Sequence, residues 1–129
     1  MAVSEFLNRR VLGVTLLGTP FTSPNTVFVA LISSLSSFGL SYSEFASAAG
    51  YARQVIVLGA LTNNKHTNVN TINFGTATGT WGVLRYLGVC NCLSAGDLLY
   101  YERLPYPRTI VTSTAVRILP GQITLSLMP

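Results

Sequence analysis

Hydrolytic chemistry needs a base held beside a nucleophile, and this chain has one histidine, His66, set in the polar run Thr62-Asn-Asn-Lys-His-Thr-Asn68. No Gly-x-Ser-x-Gly turn occurs, and His66 is far in sequence from Asp97 and from any motif-bearing serine. It reads as a solvated loop histidine. The four acids are Glu5, Glu44, Asp97 and Glu102. A glycosidase-type pair would have to come from Asp97 and Glu102, whose opposite parity on one strand sends them to different faces. Asp97 reads instead as support for the turn after Gly96. Cys90 and Cys92, two apart on a strand, share a face; a bridge at that spacing would be strained, and a structural zinc site wants about four ligands. They read as buried free thiols of a reducing compartment. The glycine-rich Gly75-Thr-Ala-Thr-Gly79-Thr-Trp81-Gly82 lacks a Gly-Lys-Ser/Thr and leads into a strand, where a phosphate loop would lead into a helix. The expectation is a non-enzyme, with no catalytic residue, no metal site and no cofactor.

Recognition is the chemistry left. Tyr100 and Tyr101 point to opposite faces of one strand, and the outward ring, with Tyr106 and Tyr42, could anchor an interface. Core and rim packing is the competing reading. Arg53, at the opening of a strand beside Tyr51, either pairs with an acid or caps carbonyls near the sheet edge, fixing the 33–50 loop, or meets a neighbouring subunit. The interface candidates are Phe6, Arg53, Trp81, Tyr100, Tyr101 and Tyr106.

The elements that must position these residues follow from periodicity. Apolar Val3, Phe6, Leu7, Val11, Val14 and Leu17, with Ser4 as N-cap and Gly18 and Pro20 as stops, predict an amphipathic helix within 1–18. Strands are expected over 26–129. Thr26–Ile32 is apolar on both faces; Ser33–Gly50 is a long loop around Phe38, Leu40, Tyr42 and Phe45. Tyr51–Leu58, Thr71–Phe74 and Trp81–Cys90 are further strands. Asp97–Arg103 pairs back as a hairpin, and Pro105 and Pro107 break the chain. Arg108–Val111 and Ala115–Leu119 follow. The last strand alternates Ile123, Leu125 and Leu127 against Gln122, Thr124 and Ser126. The predicted fold is mainly β: an antiparallel β-sandwich, jelly-roll-like, as one domain over 1–129.

Composition says what such a domain is for. Only 9% of residues are charged, against roughly 25% in ordinary soluble domains, and the mean hydropathy is +0.46. No apolar run reaches the roughly 18–20 residues of a membrane span, and the faint signal-peptide look of Arg9 to Leu17 lacks a cleavage site in Gly18-Thr-Pro-Phe-Thr22. The net charge of +4 comes from scattered basic residues, not a cluster, so nucleic acid is not an expected partner. A surface this poor in charge predicts a subunit covered by other chains.

Several motifs in order strengthen that. They are Ser23-Pro-Asn-Thr-Val-Phe-Val-Ala-Leu31, Gly50-Tyr-Ala-Arg-Gln54, Asn68-Val-Asn-Thr-Ile-Asn-Phe74, Thr76-Ala-Thr-Gly-Thr-Trp-Gly82 and Gly96-Asp-Leu-Leu-Tyr-Tyr101. Together with the leading helix they resemble small tailed-bacteriophage virion proteins of the tail-fibre, minor-tail or capsid-decoration type. The chain departs from that pattern at Gly88-Val-Cys-Asn91 and at Thr112-Ser-Thr114, where acids are missing, and the resemblance brings no catalytic residues. It implies a structural virion component, assembled in the host cytoplasm. Its implied partners are further copies of itself and other virion proteins, in the tail or, as an alternative, the major capsid protein of a cemented shell. A host glycan- or receptor-binding module, using Trp81, the tyrosines and the Asn-rich 62–70 loop, is the other alternative.

Overall fold

The amphipathic N-terminal segment forms one short helix, but a strand precedes it and its second half changes winding. Ala2–Val3 is a short strand, β1, and Ser4 then caps α1 (Glu5–Leu12). The Ser4 Oγ accepts from the Leu7 N–H at 3.2 Å and donates to the Leu98 carbonyl, while the Ser4 N–H reaches Leu99 O at 2.8 Å. One buried serine therefore both starts the helix and fastens it to the sheet. Gly13–Leu17 continues as a π turn, in which the Thr15 hydroxyl bonds back to Val11 O at 2.8 Å, and Gly18 closes it with φ +66°. The residues described by this computed structural model are 1–20, 26–36 and 41–127. Phe21, Thr22, Ser23–Asn25, Phe38 and Leu40, which entered the sequence argument, lie outside them.

The strands then follow in order. β2 (Val27–Leu35) has Val29, Ala30, Leu31 and Ile32 all 0% exposed, as an apolar run without alternation requires of a strand covered on both faces. β3 (Tyr42–Glu44) and β4 (Gln54–Ile56) share one edge of β2, at its end and its start. β5 (His66–Thr67) and β6 (Ile72–Thr76) come next, then β7 (Gly82–Cys90), which pairs along the other edge of β2 from Phe28↔Cys90 to Ile32↔Tyr86. β8 (Leu98–Ile110) pairs with β7 and, through Tyr100 and Tyr101, with β1. β9 (Ala115–Ile118) pairs with β6, and β10 (Thr124–Leu125) with β5. The large sheet thus runs β1-β8-β7-β2-β3, with β4 also on β2, and every ladder is antiparallel.

The fold is mainly β with one short helix, and its layering is that of a sandwich. Val29, Leu31, Leu84 and Val89 of the large sheet meet Ile72, Phe74, Ile118 and Leu125 of the two small ladders, with Ile123 just before β10, around Phe45, Tyr51 and Trp81. The layers are unequal, one six-stranded sheet against two two-stranded ladders. The other face of the large sheet carries a second cluster, Ala30, Ile32, Cys90 and Leu98. Among the described residues no helix is long and apolar enough to cross a membrane.

Several expectations change. The two prolines do not end a strand: β8 runs through both. Leu84 pairs with Arg108 and Tyr86 with Arg103, so Arg85 alone faces the whole stretch Leu104 to Pro107. A proline has no N–H for a ladder; the wide bulge lifts Pro105 and Pro107 off β7, and pairing resumes beyond them. The expected strand over Tyr51–Leu58 is only Gln54–Ile56, because Tyr51 and Arg53 are held by side-chain bonds where a ladder was expected. β7 ends at Cys90, so the thiols do not share a strand face: Cys90 is buried and Cys92 exposed, both free. Asn91, not Asp97, ties the following turn, accepting the Asp97 N–H on Oδ1 at 2.8 Å. His66 is no solvated loop residue. It is half-buried in β5 with its ring Nδ1 at 2.8 Å from Gly59 O. In the last strand Ile123 and Leu125 are buried as expected, but Leu127 is 58% exposed.

Candidate functional site

The densest polar cluster is built around Arg53, whose side chain is 3% exposed. Its Nε donates to both oxygens of Glu44, at 3.1 and 2.9 Å, and Nη2 donates to Glu44 Oε1 at 2.8 Å and to the Tyr42 hydroxyl at 3.0 Å. Nη1 donates to the carbonyls of Cys92 at 2.7 Å and Ala95 at 2.8 Å. The guanidinium fork therefore does both things that its position beside Tyr51 suggested, pairing with an acid and capping carbonyls. It ties β3 and the segment before β4 to the 92–95 turn.

Tyr51 extends the cluster into the core. Its hydroxyl accepts the Leu31 N–H at 3.0 Å and donates to Glu44 Oε2. That satisfies a β2 donor where the two edge strands leave a gap between them. Burial, then the hydrogen bond to Glu44, pushes the Tyr51 phenol far above its ordinary value. Burial pulls the Arg53 guanidinium down, but the hydrogen bond to Glu44 together with the charge interactions with Cys90, Glu44 and Tyr42 outweighs it, and the net shift is upward. Burial also raises Tyr42 and Cys90. These shifts hold Arg53 charged and the phenols protonated. The cluster is a clasp that ties β3, the segment before β4 and the 92–95 turn together.

The six interface candidates are not gathered in one place. Trp81 is 8% exposed, its indole N–H donating to Ala49 O at 2.8 Å and its ring 5.5 Å from that of Tyr51. Tyr100 and Tyr101 are both half-buried on opposite faces, Tyr100 against the main core and Tyr101 against the second cluster. Burial raises the Tyr100 phenol. Phe6 is half-buried under the Arg10 guanidinium, 5.2 Å from its ring centre, at a cleft shared with Tyr42 and Leu98. Tyr106, at the crest of the β8 bulge, is 81% exposed.

Sequence reasoning missed Glu44, set aside as part of a Ser/Ala loop, and Asn68, read as part of a polar turn. Asn68 is 1% exposed: its Nδ2 donates to Asn70 O and Leu119 O, each at 3.0 Å, and its Oδ1 accepts the Ile123 N–H at 2.9 Å. Asn70 likewise bridges Val57 and Val55. Two asparagines of the 62–70 run thus serve the fold. The usable signal for Glu44 was arithmetical: a lone arginine in an apolar strand requires an acid, and only four exist.

Asp97 precedes β8, and Glu102 lies within it; both are exposed. Among the described residues no three His, Cys, Asp or Glu side chains gather as metal ligands. A family model described as podophage GP4 fiber I protein gp80 matches residues 2–126. No curated protein matches the chain.

Proposed function

The chain belongs to the podophage GP4 fiber I protein family, and we propose that it is a non-enzymatic structural subunit of the virion's tail-fibre apparatus. In this reading it associates with further copies of itself and with other virion proteins after synthesis in the host cytoplasm. The family match, spanning nearly the whole chain, is the observation that carries the reading. The surface supports it. Leu12, Leu16, Leu17, Leu61, Leu93 and Leu127 are each 48–83% exposed in a chain with 9% charged residues. Apolar surface with so little charge favours association over a free monomer.

Counting copies in purified particles tests this. A few or a few dozen, placed on the tail, agree with a fibre subunit; hundreds spread over the shell would make it a capsid cement instead. Binding of the isolated protein to host cells would favour a receptor module. That alternative finds less support in the surface, since Trp81 and Asn68 are buried.

A further inference from the structure

The β8 bulge and β9 bound an open groove of about 720 Å³. Its floor is apolar: Leu84 and Ile118 are buried at 5% and 8% exposure, with Leu87 and Leu104 half-buried beside them. Arg108 and Arg117 are the charged residues among those that line it. Both guanidinia are on exposed residues, and neither is in an ion pair among the described residues.

We propose that this groove receives an extended segment of a different virion protein, one whose apolar side chains are flanked by carboxylates. The proposal rests on the reading of this chain as a virion subunit. Charge complementarity selects the occupant. Two copies docking groove to groove would set Arg108 and Arg117 against their own kind in an apolar site, which is unfavourable. Nor does a second copy offer such a segment: Glu5 and Glu44 are paired with Arg9 and Arg53, and the remaining acids, Asp97 and Glu102, bracket a stretch of β8 that is already laid between β7 and β1. An acidic, apolar strand satisfies both features, with carboxylates on the guanidinium forks and aliphatic side chains on the leucines.

The test titrates the folded protein with a labelled ten-residue peptide of alternating Glu and Leu, and with the same peptide carrying Lys for Glu. The Glu peptide should bind at least about tenfold more tightly, and its affinity should fall as salt rises from about 0.05 to 0.5 M. The double variant Arg108→Glu/Arg117→Glu, with its circular dichroism unchanged, should weaken it about tenfold or more and fail to enter particles. Absent binding, equal binding of both peptides, an unaffected double variant, or preference for anionic lipopolysaccharide overturns the proposal. If the double variant enters particles at the wild-type copy number, the groove fails while the virion reading stands. If the wild-type chain is missing from particles, it is the virion reading that fails.

Discussion

At the scale of residues, Arg53 and Glu44 stand or fall together. Removing the guanidinium leaves a carboxylate that is 20% exposed with the Tyr51 phenol as its remaining partner in the cluster, and strands the carbonyls of Cys92 and Ala95. Arg53→Ala should therefore cost about 3 kcal/mol or more. Arg53→Lys should recover only part of this, because an ammonium cannot span the fork of acceptors. Urea denaturation of the three proteins measures both, and an Arg53→Ala midpoint equal to wild type would refute the clasp. The raised phenols give a pH signature. Above about pH 10 unfolded chains release tyrosine protons that the folded chain keeps on Tyr51, Tyr42 and Tyr100, and Cys90 adds the same effect from about pH 8.5. The folded state then holds more protons, so stability falls as pH rises, by up to about 1.4 kcal/mol per pH unit for each group. Tyr51→Phe should be less stable at pH 7 yet show a shallower alkaline decline. Equal slopes between pH 9 and 11 would show that Tyr51 is not the group responsible.

At the scale of elements, β7 shows how one small residue sets a packing layer. A Cβ at Gly88 would stand 2.6 Å from Ile32 Cδ1 and 2.7 Å from Leu98 Cδ1, inside the second cluster. Gly88→Ala should overpack that face and cost about 1–3 kcal/mol, read from chemical denaturation. A neutral outcome would mean that Ile32 and Leu98 can move apart. The strands themselves were largely legible: β2, β6, β7 and β9 stand close to where apolar runs and turn residues put them. β8 was not, because a proline pair forbids ladder bonds but not a bulge, and only a partner strand shows which of the two the chain adopts. The N-terminal helix was half legible. Ser4 announced its cap, while β1 depends on the free edge of β8, more than 90 residues away in sequence.

At the scale of the molecule, the chain exposes 7611 Å², above the roughly 6,700 Å² expected for a compact monomer of its mass. Large apolar side chains lie on that surface, and the end of the helical segment carries two of them side by side, Leu16 at 73% and Leu17 at 83% exposure. Leu16→Gln/Leu17→Gln should lower the oligomeric fraction in sedimentation velocity and change stability by less than about 0.5 kcal/mol. An unchanged oligomer distribution would place self-association elsewhere. The sequence by itself determined the β-rich antiparallel class, the helix cap, the doubly covered β2 and the shortage of charge, since composition and periodicity are local and additive. Only the tertiary structure decided that Arg53 meets Glu44 and two carbonyls around Cys92, that Asn68 is a clamp, and that Arg108 and Arg117 flank one apolar groove. Those outcomes depend on contacts between distant segments, and no local pattern records which of several polar partners a buried group will find.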